Sequence, residues 1–423
     1  MSFDEESILG HDRSTRDDKE LNRLSQAYLV VYYTVMVSDW LQGPYLYKLY
    51  QSYGYTMQAI AYLFMTGFVS GAIAGTTMGG LADTWGRKKM CLIFCLTSSI
   101  SLFLRIATSS FPILLVSHLL SGLSAGLLFT VFETWLVAEY QDLGFPSRLL
   151  DRLFATATFG NGLCAIIAGI VANWAVDSLG IQAPFMVAIG FSVMGALLIS
   201  VLWKENYGIS KEMSGQSLKE TIAEGLKVLF RGSRIFSLGL AQTLFECSMY
   251  IFVLLYTPAL EQALENQDDY VPFGYLFSTL MVAVMLGSQL FRVLTQHTRK
   301  LGNSNFYWAF TKGTILSLTL AISAGSFGAM AFWANNVRVL IPAYHIFEFS
   351  VGIYFPVISS LKANLIPNDS RAAVMSLLRV PMNIGVCAIL WQVDSISMTM
   401  LFAICACMNA IGAIIVGILL RTI

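Results

Sequence analysis

The sequence predicts an all-α membrane protein of twelve transmembrane helices arranged as two bundles of six. Three observations carry that prediction. Of 423 residues, 56% are hydrophobic and 12% are charged, where a soluble domain has roughly 25% charged residues. The apolar residues gather into about twelve runs, each near the roughly 20 residues that cross a hydrocarbon core of about 30 Å. A charged stretch from Lys204 to Arg234 divides those runs six and six.

Taken in order, the runs cover residues 26–48, 58–82, 90–107, 112–137, 153–176 and 183–203, then 235–260, 272–296, 304–327, 337–361, 371–393 and 396–420. Residues 1–25 read as a cytoplasmic tail. They are polar and mixed in charge (Asp4, Glu5, Glu6, Asp12, Arg13, Arg16, Asp17, Asp18) and lack the short apolar core and cleavage site of a signal peptide. Residues 26–203 form the first bundle, 204–234 a cytoplasmic linker and 235–423 the second bundle. Each half is expected to repeat the other about an axis along the membrane normal.

The loops set the orientation. Alternate loops hold Arg87, Lys88 and Lys89, then Arg148 and Arg152, then the basic linker, then His297, Arg299 and Lys300, then Lys362 and Arg371. The opposite loops hold few bases, and Glu261 to Asp269 carries four acids and none. Positive loops stay inside, so both termini are expected in the cytoplasm. The sequon Asn368-Asp369-Ser370 then lies inside and unmodified. All seven cysteines fall within apolar runs, so no structural disulfide is expected. No His/Cys cluster, nucleotide loop or nucleophile–base pattern stands out. The chain therefore reads as no enzyme, with no cofactor and no metal. The formal net charge of zero suggests no nucleic-acid partner. The expected surroundings are the lipid bilayer, and the expected state is a monomer.

The stretch Gly79 to Lys89, G-G-L-A-D-T-W-G-R-K-K, joins the second and third runs. Asp83 is placed to cap a helix or pair with a base, and the cations cluster behind Gly86. The pattern G-x-x-x-D-x-x-G-R-K resembles the signature loop of the major facilitator superfamily. That resemblance implies the major facilitator fold and a central cavity lined by helices 1, 4, 7 and 10. Gating is expected of Asp83, Arg87 and Lys88, with Glu133 of helix 4 pairing with the Arg87 cluster. The His118-x-x-x-Gly122-x-x-x-Gly126 run has His where the superfamily often has Arg, so helix 4 carries no permanent positive charge there. Its glycines still permit close packing.

Ionisable groups inside spanning helices are costly and are functional candidates by default. Asp39, Glu246, Glu348 and Arg379 sit near the middles of helices 1, 7, 10 and 11. At helical spacing, Asp39 shares a face with Gln42, Glu246 with Gln242 and Tyr250, and Arg379 with Asn383. Either these groups pair internally and hold helices together, or some bind cargo. Arg379, Asn383, Gln42, Gln242 and Tyr250 are the candidate cargo ligands. Asp39, Glu246 and Glu348 are the candidate charge-pair or proton-coupling groups. Three acids against one base would repel an anion unless protons compensate, because burial disfavours the charged form of a carboxyl group. Arg105, near the outer end of helix 3, is expected to snorkel to the interface. His118 and His345 are expected to be packed and neutral.

Longer motifs narrow the family. Helix 1 reads S-D-W-L-Q-G-P-Y-L-Y-K-L-Y from Ser38 to Tyr50, and helix 4 L-L-F-T-V-F-E-T-W from Leu127 to Trp135. Helix 7 has Q-T-L-F-E from Gln242 and Tyr256-Thr257-Pro258; helix 10 has E-F-S-V-G-I-Y-F-P from Glu348; helix 11 has L-R-V-P from Leu378. Over about residues 26–420 the chain resembles the molybdate-anion transporter family. The resemblance implies import of molybdate, a tetrahedral oxyanion, across the plasma membrane by alternating access, with proton coupling as a further hypothesis. The residues alone also fit a proton-linked carrier of another small polar or organic solute. They fit, too, a receptor or scaffold that borrows the fold without transporting.

Overall fold

The structure is a computed structural model that describes residues 3–145, 147–208, 226–229, 232–264, 271–300, 311–367 and 371–420. Lys211 and Lys219 of the linker, the acidic loop beyond Leu264, residues 304–310 of the ninth run and the Asn368–Ser370 sequon lie outside the described residues.

The first half comprises α1 (Phe3–Gln42), α2 (Leu46–Ser52), α3 (Met57–Trp85), α4 (Arg87–Ala107), α5 (Phe111–Leu128), α6 (Val131–Asp142), α7 (Ser147–Leu179) and α8 (Ala183–Leu202). The second comprises α9 (Ser233–Leu264), α10 (Phe273–Lys300), α11 (Lys312–Phe332), α12 (Val337–Leu365), α13 (Arg371–Trp391) and α14 (Met398–Leu419). Ten spans are long and apolar enough to cross a membrane, with α5 and α6 counted together. The apolar part of α1 and the shorter apolar stretch Leu377–Trp391 of α13 complete the twelve-helix plan.

Four local features differ from a plain hydropathy reading. The polar tail is not separate from the first span: α1 runs unbroken from Phe3, about 60 Å at 1.5 Å per residue. The first span instead breaks further on, at a 3-10 turn over Gly43–Tyr45. Pro44 has no N–H to donate and disfavours α geometry in the residue before it. Helix 4 breaks at Phe129–Thr130, between α5 and α6. The polar turn after α3 also shrinks to a single residue, because Arg87 already begins α4. Gly86 makes that turn at φ +105°, which a side chain would strain.

The halves meet through two helix pairs, α3 with α13 and α7 with α10. At Gly169 of α7 and Gly274 of α10 the backbones nearly touch. A Cβ on Gly274 would sit 2.4 Å from the Gly169 carbonyl oxygen. The polar ties between halves gather at the end opposite Arg87. There Lys48 pairs with Glu261. Gln51 Nε2 donates to the same carboxylate at 3.1 Å. Gln58 Nε2 donates to the Leu390 and Trp391 carbonyls at 3.0 Å each, and its Oε1 accepts from Asp394 N at 3.2 Å. One apolar core spans both halves and includes Leu41, Tyr45, Phe252 and Leu255. Toward the basic end the cores separate. Leu24, Tyr28, Trp135 and Trp203 belong to a core of the first half alone, and Leu229, Ile366, Val374 and Leu378 form another. The molecule is thus closed at one end and parted toward the other.

Candidate functional site: a charged seam between the halves

The four midplane charges expected to meet are distributed over separate places. Glu246 and Arg379 lie together. The Glu246 carboxylate accepts from Tyr354 OH at 3.0 Å and from Gln242 Nε2 at 3.2 Å. Tyr354 is held by its stack on Phe245, with ring centroids 3.9 Å apart. Tyr250 lies in the field of both Glu246 and Arg379. Arg379 is exposed to the parting between the halves, and its Nη1 lies 4.0 Å from where a Cβ on Gly75 of α3 would stand. Asn383, one turn along α13, is half-buried on the same face. Lys362, in the last turn of α12, joins the group: it lies in the field of both Glu246 and Arg379.

Asp39 is elsewhere. It accepts from Gln42 Nε2 at 3.3 Å, and Gln42 Oε1 in turn accepts from Arg105 Nη1. Arg105 therefore does not snorkel. It is 1% exposed and points inward, its Nε donating to Ser117 Oγ at 3.2 Å. Its backbone carbonyl is fixed by Tyr53 OH at 2.7 Å. The reason is packing: α4 lies against α5, and Ser101 and Ser117 supply a polar wall that lipid could not. Arg105, Gln42 and His118 line a cavity of about 250 Å³ with Phe64, Phe68 and Tyr256. His118 is packed as expected, 4% exposed and 2.8 Å from Tyr50 OH. Gly122 lets α5 reach α3 there; a Cβ on it would stand 2.3 Å from the Gly67 carbonyl oxygen. His345 is held between Ile341 O and Thr279 Oγ1. Glu348 is 7% exposed and acts on Tyr256, which lines that cavity.

Between the two cation-bearing places stands an aromatic contact across the seam. Phe68 of α3 meets Tyr250 of α9 edge to face, with centroids 4.6 Å apart.

The expected gating residues find partners within the first half. Arg87 donates to Asp83 through Nη2 at 2.8 Å and Nε at 3.1 Å. Lys88 Nζ donates to the Ser200 and Trp203 carbonyls at 2.9 and 2.8 Å. The backbone N–H groups of Lys88 and Lys89 are capped by Glu205, at 2.8 and 3.2 Å. Glu133 does not pair with the Arg87 cluster. It is exposed, and its charge acts on Tyr28 and Tyr32 of α1. Helix 4 breaks before it, at Phe129–Thr130. Three residues carry more than the sequence suggested: Arg105, Lys362 and Glu205. Polarity alone marked Arg105, whose cost in a spanning helix is a signal whatever its depth.

A family model described as "Sugar-transporters, 12 TM" matches residues 6–328 of this chain. A molybdate-anion transporter of Xenopus tropicalis is 33% identical over 84% of this chain and 75% of its own length. One of Danio rerio is 31% identical over 86% of this chain and 78% of its own. A variant of the nucleoside transporter NupG superposes with a TM-score of 0.75 at 12% identity, over 93% of this chain and 99% of its own. NupG itself gives 0.70, also at 12% identity. At that identity the likeness is one of fold.

Proposed function

The chain belongs to the molybdate-anion transporter family of the major facilitator superfamily, and from that premise we propose that it carries molybdate across a membrane by alternating access. It is a multi-pass membrane protein whose twelve helices form two six-helix halves. The halves rock about the seam, with the Lys48–Glu261 end closed while the Arg87 end is open.

One observation carries the choice of an anion. Counted along the sequence, the membrane interior held three acids and one base. In the folded chain Arg105 acts on Asp39, and Lys362 joins Glu246 and Arg379. The interior therefore holds three cations against Asp39, Glu246 and Glu348, and a tetrahedral dianion entering the seam meets far less repulsion than a single base would leave. Arg379 supplies the planar fork that suits an oxyanion. Asn383, Gln242 and Tyr250 add neutral donors near it, and Gln42 adds one beside Arg105.

Proton coupling follows from the same arrangement. A dianion adds two charges to a low-dielectric seam, and a proton taken up by Glu246 or Asp39 offsets part of that cost. The basic loops support a cytoplasmic Arg87 end, and import across the plasma membrane is the direction and site that the family resemblance implies. The monomer holds the whole pathway.

The test is uptake of labelled molybdate into proteoliposomes, with sulfate as competitor and a pH series from about 5 to about 8. Saturable uptake that falls as the external pH rises is the expected result. Uptake indifferent to pH removes the proton, and no uptake at all removes the substrate.

A further inference from the structure

We propose that the cavity beneath the closed end is a second oxyanion site, distinct from the Arg379 group, with Arg105 as its cation. The inference rests on the transport of an oxyanion argued above and adds a place where that oxyanion is held.

A guanidinium stays charged at any physiological pH. Arg105 is 1% exposed inside a spanning helix bundle, where a lone charge is costly. Among the described residues no carboxylate lies within ion-pairing distance of it. Asp39 shares its field but is reached only through the amide of Gln42. Nη1 and Nε are engaged, by Gln42 and Ser117. What remains is a buried positive charge, balanced at second hand, on the wall of a cavity of about 250 Å³.

The rest of the lining fits a small hydrogen-bond acceptor. Gln42, Ser121 and His118 contribute polar groups, and Gly67 and Gly122 bring backbone close. Phe64, Phe68 and Tyr256 supply the aromatic part of the lining. This is a poor setting for a cation and a good one for a compact anion of two charges. Its limits are also those of a compartment. Above it stand Lys48, Gln51 and Glu261; below it Phe68 meets Tyr250. The Arg379 group lies on the other side of that contact.

An oxyanion in this cavity replaces the Gln42 amide as the partner of Arg105 Nη1. Gln42 Oε1 is then released and Asp39 loses its link to the cation. The oxyanion and Gln42 Oε1 thereby compete for one guanidinium N–H, and return of the amide favours onward release toward Arg379.

The experiment measures binding of molybdate, tungstate and sulfate to the purified full chain in detergent, by equilibrium dialysis, alongside uptake. Arg105→Gln is expected to abolish the binding held by this site, and Arg105→Lys to weaken molybdate binding about tenfold or more, since the ammonium lacks the fork. Ala125→Leu fills the cavity from α5 and leaves every partner of Arg105 in place. It is expected to weaken binding too, so it decides the matter should Arg105→Gln fold poorly. Wild-type affinity in Ala125→Leu, or in a well-folded Arg105→Gln, overturns the proposal while the transport reading stands. Failure of the wild type to bind any of the three oxyanions overturns both.

Discussion

Lys48 and Glu261 form an ion pair across the two halves, at the end of the molecule farthest from Arg87. Their side chains are 30% and 24% exposed, and Gln51 donates to the same carboxylate. Such a half-exposed pair is worth about 0.2–1 kcal/mol, so it biases a rocking equilibrium without locking it. Charge reversal at one partner, Glu261→Lys, sets two ammonium groups face to face. We expect it to slow molybdate uptake severalfold and to raise labelling of outer-end cysteine probes. Lys48→Glu combined with Glu261→Lys restores the attraction and is expected to recover most of the uptake. No recovery in the double variant, measured in the same proteoliposomes, removes the pair from the gate.

Arg379→Ala separates a transporter from a receptor on the same scaffold. The side chain is exposed to the seam, so truncation leaves no buried cavity and folding should be normal. Uptake is expected to be lost at unchanged surface expression. Retained uptake places the cargo elsewhere along the seam.

Glu246 is held by Tyr354 and Gln242, which fixes the carboxylate in one orientation. If Glu246 carries the proton, Glu246→Gln mimics its protonated form. Uptake should then lose its pH dependence while binding of molybdate survives. Tyr354→Phe removes one donor to the carboxylate, which costs about 1.5–3 kcal/mol for a bond to a charged group. It is expected to displace the pH profile without flattening it.

Gly274→Leu tests the closed end from its wall. Even a single Cβ there would meet the Gly169 carbonyl oxygen at 2.4 Å, so the backbones of α7 and α10 must separate. The expected result is a chain that folds, is found open at the end bearing Lys48, and transports poorly. Distance measurements between spin labels on the two halves report the opening directly.

Glu205→Ala removes the carboxylate that receives the first N–H groups of α4. Loss of a helix N-cap costs about 1 kcal/mol. A fall in thermal stability of the detergent-solubilised protein is expected, with uptake reduced by less than in Arg379→Ala.

How much of this was legible in the amino-acid order divides along one physical line. Hydropathy measures depth. It placed the twelve spans, the seam acids and the basic end, because the cost of charge in hydrocarbon depends on distance from the interface. It carries little about direction around a helix. Arg105 was placed at the right height and pointed the wrong way; the serines that turn it inward sit on α4 and α5 and look unremarkable alone. Glu133 shows the same limit: its place near the end of helix 4 gives its height and not its direction. Periodicity did succeed within a single helix. Gln242 with Glu246, and Gln42 with Asp39, share faces as their spacing requires. Partners on different helices, such as Tyr354 with Glu246, needed the fold.

Trp203 stacks on Trp135 with centroids 3.8 Å apart, Trp135 Nε1 donates to Lys204 O, Arg87 N to Asn206 O, and Gly208 N to Asp83 O. The opening residues of the connector are thus riveted to the first bundle and travel with it. The boundary of the first body therefore falls at Gly208, not at Lys204. Shortening the tether by a few residues beyond that point should stall turnover sooner than its charged length would suggest.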